Sequence, residues 1–167
     1  MSIPTVKFDD SHFTEAVRKN LRNAISTLVG IDQNYFDQIF DAALRSVLAG
    51  GDLGLLNSAL ITMQIDGMTK RRAQDISRHL NNVATSNMAT ERQIQLGITE
   101  ARWMYSGAPC VSSTKNTSTE MDAVHKSAND VKYKIRDGLY LGGKWTWPGM
   151  EEGCKCVGVP IIMALER

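Results

Sequence analysis

Residues 91–105 read ERQIQLGITEARWMY, and the pattern of apolar residues changes within this stretch. Before Gly97, apolar residues recur with the 3.6-residue period of an α-helix, whereas Ile98 to Tyr105 has the character of a strand. Gly97 itself is typical of a helix end. The sequence therefore predicts an α+β fold. A helical region at 1–97, with one long helix, precedes a small, hairpin-rich antiparallel β module at 98–167.

Three to four helices are predicted upstream of Gly97. Apolar residues follow the helical period over 13–28, a wide apolar face covers 35–48, and a short helix is expected at 53–63. The longest helix is predicted from Thr69 to about Gln95, and its narrow apolar stripe is interrupted by asparagines. Such a stripe predicts packing against the first two helices or against another subunit.

Downstream of Gly97 the pattern predicts short strands joined by turns. A Ser/Thr-rich loop is expected at 106–120, one or two helical turns at 120–128, a half-buried strand at 131–136 and a last strand at 157–162. Four aromatic residues alternate with polar neighbours, so each is expected to bury one face in the core of the module: Trp103, Tyr133, Trp145 and Trp147.

Length and composition are those of a globular protein. The 167 residues are 43% hydrophobic and 22% charged, which fits one domain, or one domain with a small module. The chain has 19 Lys and Arg and 18 Asp and Glu, a net charge of +1. The net charge therefore does not indicate a nucleic-acid binder. No apolar run has the length of a membrane span, and residues 1–10 lack an apolar signal core, so neither membrane insertion nor secretion is expected.

Charge is distributed unevenly along the chain. Residues 31–66 hold five aspartates and one arginine, whereas residues 126–144 hold five cations and two aspartates. Simple solvation accounts for such faces, and docking of partners, including nucleic acid, is the alternative. The candidate contact residues are Lys132, Lys134 and Arg136 in the basic segment, and Lys70, Arg71 and Arg72 at the start of the long helix.

Three cysteines and one histidine form the candidate site. Cys110, His125, Cys154 and Cys156 follow the spacing C-x14-H-x28-C-x-C. Three thiolates and an imidazole would make a closed, structural zinc site. The alternative is that Cys110 is a loop thiol, His125 a hydrogen-bonded core residue and the C-x-C pair part of the packing. An odd number of cysteines favours thiols that act as ligands, or that are unused, over a disulfide framework.

No pattern typical of catalysis accompanies this cluster. The chain has no Gly-rich phosphate loop, no HExxH and no paired-carboxylate spacing, and His79 is expected to be exposed on the long helix. The residues alone therefore offer no candidate catalytic site. A metal-dependent nuclease that uses His125 is the enzymatic alternative, which would require cleavage that is lost in His125→Ala.

Several motifs within residues 69–158 are similar to those of one known family. They are Arg71-Arg72-Ala73, NNVAT at 81–85, LGITEARW at 96–103, His125, NDVKY at 129–133 and WPGMEEGCKC at 147–156. By these motifs the chain resembles the minor head proteins of tailed bacteriophages related to protein F of phage Mu, more loosely over 18–68. Two features depart from the family pattern. Asp122-Ala123-Val124 stands where an Arg-Pro pair usually precedes the His, and the loop that contains Cys110 is longer.

The resemblance implies a non-enzymatic virion protein of the head or neck, assembled in the host cytoplasm. It implies portal and capsid proteins as partners, a role in head assembly at the portal vertex and in DNA packaging or delivery, and an oligomer within the virion. Because the His and the C-x-C pair recur together in the family, it also favours a Cys/His-clustered module. The alternative is a DNA-binding module whose basic 126–144 hairpin contacts packaged double-stranded DNA, with strong salt dependence.

Overall fold

The computed structural model describes Ser11, residues 13–111 and residues 118–162. In chain order the elements are α1 (Glu15–Ser26), a 3₁₀ helix (Gln33–Tyr35), α2 (Phe36–Leu48), α3 (Leu53–Thr62), α4 (Lys70–Gln95), β1 (Glu100–Met104), α5 (Ser118–Ser127), β2 (Lys132–Lys134), β3 (Leu139–Leu141), β4 (Lys144–Thr146) and β5 (Val157–Pro160).

The fold is α+β, with a helical N-terminal part that includes one long helix and small antiparallel sheets after it. This confirms the fold class predicted from the sequence. The chain divides into two compact units at 1–88 and 89–167, so the last turns of α4 belong to the second unit. Of the predicted loop at 106–120, residues 112–117 lie outside the described residues. In the described part of the chain, no helix combines the length and the apolar character needed to cross a membrane.

Side-chain caps define where helices of the first unit begin. At the start of α1, the hydroxyl oxygen of Thr14 accepts a hydrogen bond from the backbone N–H of Val17 at 3.3 Å. At the start of α4, the hydroxyl of Thr69 accepts one from the backbone N–H of Arg72 at 3.1 Å. Each cap satisfies a donor that the first helical turn leaves free, so these boundaries follow from the local sequence.

The long helix α4 buries a wider face than its apolar stripe predicts. His79 is only 7% exposed, so its expected exposure is wrong. It lies three residues after Ile76 and four before Val83, and this spacing places it on the buried face of the helix. Asn20 of α1 donates a hydrogen bond to the side-chain oxygen of Asn87 at 2.7 Å. The asparagines that interrupt the stripe thus include one that joins α4 to α1.

A three-stranded antiparallel sheet of order β2-β1-β5 organises the second unit. Ala101 of β1 lies opposite Tyr133 of β2, and both residues are buried. Trp103, two residues further along β1, is fully buried and stands edge-on to Tyr133 with ring centroids 6.4 Å apart. Because alternate residues of a strand share a face, these side chains form the inner face of the sheet.

Strands β3 and β4 form a separate hairpin with a two-residue loop. Gly142 and Gly143 have φ values of 57° and 86°, the left-handed conformation that the favoured two-residue turn requires. At the base of the hairpin, Gly138 has φ 78°, and a Cβ there would lie 2.6 Å from the carbonyl oxygen of Thr146 and 2.9 Å from the ring of Trp147. Only glycine fits this position, so the base of the hairpin is closely packed.

The three tryptophans differ in environment. Trp103 is fully buried and Trp147 partly buried, whereas Trp145 is 61% exposed, so its assignment to the core is wrong. The reason is strand alternation: Thr146 is the buried residue of β4, which turns its neighbour Trp145 outward. Trp147 follows the end of the strand, and its indole N–H donates to the carbonyl oxygen of Ile135 at 2.8 Å.

Candidate metal centre

Three segments of the second unit bring four ligand-type side chains together. Cys110 lies in the loop after β1, His125 lies on α5, and Cys154 and Cys156 lie between β4 and β5. All four side chains are buried, with exposed fractions of 0% to 4%. The three cysteines are free thiols. The residues selected from the spacing alone are thus gathered in one solvent-excluded cluster.

Strand pairing accounts for this convergence. Val157 of β5 pairs with Met104 of β1, so the C-x-C segment lies directly beyond the shared end of the two strands. After α5, the backbone N–H of Asp130 donates to the carbonyl oxygen of Trp103 at 2.7 Å. The ring of His125 stands edge-on to the indole of Trp103, with centroids 5.2 Å apart. Both segments therefore pack against the same end of β1.

Three of the distances between donor atoms are close to those of a metal site. Nδ1 of His125 lies 3.3 Å from Sγ of Cys154 and 3.8 Å from Sγ of Cys156. Sγ of Cys110 lies 3.6 Å from Sγ of Cys156, and all four donor atoms lie within 4.8 Å of one another. Ligand atoms of a tetrahedral zinc ion stand roughly 3.5–3.8 Å apart, given bonds of about 2.0–2.3 Å. The cluster could therefore hold a metal ion.

Two backbone amides point at the sulfur atoms. The N–H of Gly149 donates to Sγ of Cys154 at 3.3 Å, and the N–H of Lys155 donates to Sγ of Cys110 at 3.4 Å. A metal ligand must be a thiolate, and a hydrogen bond to the charged form favours it. The turn that contains Pro148 and Gly149 therefore stabilises ligand sulfur as well as reversing the chain.

The second ring nitrogen of His125 has a carboxylate partner. Nε2 lies 2.8 Å from Oε2 of Glu151, whose other oxygen forms an ion pair with the ammonium group of Lys144. When the proton of the neutral ring is on Nε2, this N–H donates a hydrogen bond to Glu151. Nδ1 then faces the sulfur atoms with a free lone pair. Histidine ligands of metals commonly have such an outer carboxylate, which orients the ring and selects its tautomer.

A second carboxylate positions Cys110. Oδ1 of Asp122 accepts hydrogen bonds from the backbone N–H of Cys110 and from the hydroxyl of Tyr105, both at 2.8 Å. These bonds lower the pKa of Asp122, and the bond to Asp122 raises the pKa of Tyr105 to about 12. Asp122 precedes His125 by three residues on α5. The same helix therefore supplies the candidate ligand His125 and the carboxylate that holds the backbone of Cys110.

Without a metal, two of the four ligand residues, His125 and Cys154, hold their protons at neutral pH. Burial alone would lower the pKa of His125, but hydrogen bonds to Cys154 and Glu151 outweigh it and raise the pKa to about 10. A hydrogen bond to Cys156, together with burial, raises the pKa of Cys154 to about 12. For Glu151, burial would raise the pKa, whereas the bonds from His125 and Lys144 lower it to about 2. A metal ion that binds here must therefore displace protons from the ligands.

The candidate contact cations lie outside this cluster. Lys132 and Lys134 are both exposed on β2, with the buried Tyr133 between them, and Arg136 is exposed just beyond that strand. Lys70 and Arg71 are exposed at the start of α4 in the first unit, where Arg72 donates to the carbonyl oxygen of Val29 at 3.4 Å.

Glu151 and Asp122, the two carboxylates that orient the cluster, are not predicted from the sequence. In the sequence, Asp122 is marked only by its place in a segment that departs from the family pattern, and Glu151 only by its place within WPGMEEGCKC. Comparison of the chain with family models, with curated proteins and with solved structures finds no match. The site is therefore interpreted from its own chemistry.

Proposed function

We propose that this chain is a non-enzymatic structural protein of a tailed-phage head, acting in assembly at the portal vertex, with a second unit that is held together by a structural zinc ion. The observation that carries the proposal is the buried cluster of three cysteines and His125. Three of its members, His125, Cys154 and Cys156, belong to motifs on which the resemblance to minor head proteins rests, whereas Cys110 lies in a loop that departs from the family pattern.

The donor set favours zinc. Thiolate and imidazole ligands select zinc over hard cations such as Mg²⁺ and Ca²⁺, which prefer oxygen. Four protein ligands fill a tetrahedral coordination sphere, and such closed sites are structural, whereas catalytic zinc sites keep one position open. His125 at 1% exposure is also inaccessible to a macromolecular substrate, which disfavours the alternative of a nuclease centred on this residue.

The second unit has reason to depend on a metal. Among the residues of this unit that the structure describes, the buried apolar cluster has eight members, and three of them are the cysteines themselves: Ala101, Trp103, Cys110, Ala128, Tyr133, Ile135, Cys154 and Cys156. Small modules with little apolar core commonly gain stability from a bound metal. In this arrangement the metal ties the loop after β1, α5 and the segment before β5 into one body.

Elemental analysis of the purified chain tests the metal part of the proposal. We expect close to one equivalent of zinc, and loss of most of it in His125→Ala. The first unit contains no cysteine and supplies the control, because Lys19→Ala removes an exposed side chain of α1 without touching the cluster. Retention of zinc by His125→Ala, or its absence from the unaltered chain, would contradict the assignment.

Co-elution with portal protein tests the assembly role. We propose portal and capsid proteins as the partners and the virion head or neck as the location. Both the partners and the location follow from the resemblance alone. We expect the full chain to co-elute with purified portal protein in size-exclusion chromatography, and to do so less when zinc is removed. If the zinc-loaded chain does not associate with either portal or capsid protein, the head-assembly role fails, while the zinc site stands on its own measurement.

A further inference from the structure

An exposed aromatic pair occupies the outer face of the β3–β4 hairpin. Tyr140 and Trp145 lie directly opposite each other, are 58% and 61% exposed, and have ring centroids 5.6 Å apart in an edge-to-face arrangement. Leu139 and Leu141, on the other face, pack against the core of the second unit. The hairpin thus directs its leucines inward and presents two large rings to solvent, which we call the aromatic hairpin face.

The aromatic hairpin face is held in a fixed position on the unit. Its two-residue glycine loop restricts the turn, and Gly138 at the base packs too closely against Thr146 for any other residue. Lys144, beside Trp145, is anchored by its ion pair with Glu151. Rings that are already ordered lose little conformational entropy when a flat ligand stacks on them.

Three exposed cations precede the hairpin in the sequence, and one of them is joined to its base. Lys134 forms a bridge with Gly138, which joins β2 to the base of the hairpin. Lys132, Lys134 and Arg136 are exposed, and among the described residues no ion pair engages them. From 131 to 146 the chain carries four cations and one carboxylate, Asp137. Of these cations, Lys144 is already paired with Glu151, and Lys134 lies opposite Glu100 in the strand register. Lys132, Lys134 and Arg136 are therefore the cations near the hairpin that can contact a polyanion.

We propose that the aromatic hairpin face, with Lys132, Lys134 and Arg136, binds single-stranded nucleic acid. Cations contact the phosphates, and the rings of Tyr140 and Trp145 stack on unpaired bases, the combination that single-strand binders use. A duplex keeps its bases stacked on one another and offers only its backbone and grooves, which would leave the two rings without a role. The inference does not depend on the head-assembly role or on the identity of the metal.

Binding of the full, zinc-loaded chain to a labelled oligothymidylate of about ten nucleotides tests the proposal by fluorescence anisotropy. We expect binding that weakens about tenfold in Trp145→Ala, from the stacking on one base. In Lys132→Ala/Lys134→Ala, the slope of log K against log salt should fall by about 1.4, because each phosphate contact on a single strand contributes about 0.7. An oligomer of the same length with abasic sites removes stacking on both rings, so it should bind the unaltered chain more weakly than the oligothymidylate binds Trp145→Ala.

Matched variants separate stacking from loss of surface. Leu96→Ala removes a residue that is 70% exposed in the same unit, and Lys19→Ala removes an exposed charge from the first unit; both should bind as the unaltered chain does. Quenching of tryptophan fluorescence by the oligothymidylate, absent in Trp145→Phe, supplies a second readout in folded protein. No binding, equal binding of the abasic oligomer, tighter binding of a duplex, or no effect of Trp145→Ala would each overturn the proposal.

Discussion

His125 and Glu151 are joined by a 2.8 Å contact between Nε2 and a carboxylate oxygen, on the side of the imidazole opposite the three sulfur atoms. The carboxylate is itself held by Lys144. Orientation and tautomer of the ligand ring are therefore set by a residue that does not touch the proposed metal. This relationship makes the affinity for zinc sensitive to substitutions outside the ligand set.

Replacement of Glu151 should lower zinc affinity while leaving all four ligands in place. We expect a loss of about tenfold in Glu151→Gln, which retains an acceptor for the Nε2 proton, and of up to about 100-fold in Glu151→Ala. Competition with a chromophoric zinc chelator measures both. Glu120→Gln, on the exposed surface of α5, is the control and should bind zinc as the unaltered chain does. An unchanged affinity in Glu151→Ala would show that the carboxylate does not tune the site.

Removal of the metal should destabilise the second unit more than the first. The ligands come from three segments of that unit, so without zinc only hydrogen bonds and packing hold them together. Hydrogen exchange in the presence of chelator should therefore rise in β1, α5 and β5 and change less in α1 and α2. If the chain contains less than about a tenth of an equivalent of zinc and the second unit stays folded in chelator, His125 is a hydrogen-bonded packing residue instead.

The three tryptophans should give three different stability losses. Trp103→Ala empties a fully buried site and should lower the free energy of unfolding by about 3–5 kcal/mol. Trp147→Ala loses a partly buried ring and one hydrogen bond, so about 2–3 kcal/mol is expected, less than full burial would give. Trp145→Ala should cost less than about 1 kcal/mol, the contribution of one cross-strand pair. Urea unfolding of the zinc-loaded chain measures the order, and a reversed order would contradict the described environments.

Two glycine positions separate steric conflict from backbone strain. In Gly138→Ala, the new Cβ must displace the backbone of Thr146 or the ring of Trp147, and the alanine must also adopt φ 78°. In Gly143→Ala, the new Cβ has no neighbour within 4 Å, so the only cost is the φ of 86°. The left-handed conformation costs an alanine about 1–2 kcal/mol. Gly143→Ala should therefore lose about that amount and Gly138→Ala clearly more, as measured by thermal midpoints. Equal losses would mean that the base of the hairpin can open without cost.

Acid should weaken the metal-free chain through Glu151. Its pKa is about 2 in the folded chain against an ordinary value of 4.5, so the stabilisation is fully present above pH 4.5 and is lost as the pH falls through 2. His125 stays protonated over this window in both states, because its pKa is raised from 6.5 to about 10. Urea midpoints of metal-free protein should fall more steeply in this window for the unaltered chain than for Glu151→Gln. If the urea midpoints of the two proteins fall equally with pH, Glu151 is not the cause of the acid destabilisation.

Local signals in the chain suffice to predict the helix-to-strand change at Gly97, the approximate bounds of most elements, and the candidate ligand set of Cys110, His125, Cys154 and Cys156. These signals are residue periodicity, the cap at Thr69 and the scarcity of cysteine.

Four features of the molecule emerge only from the folded arrangement. Glu151 and Asp122 orient the ligand set, His79 is buried, and Trp145 faces solvent. The contacts of Glu151 and Asp122 depend on which residues far apart in the chain become neighbours, whereas the burial of His79 and the exposure of Trp145 depend on which face of their element meets the core. Pairing of β1 with β5 and closure of the hairpin on Gly138 set those contacts in the second unit, and no local spacing encodes them.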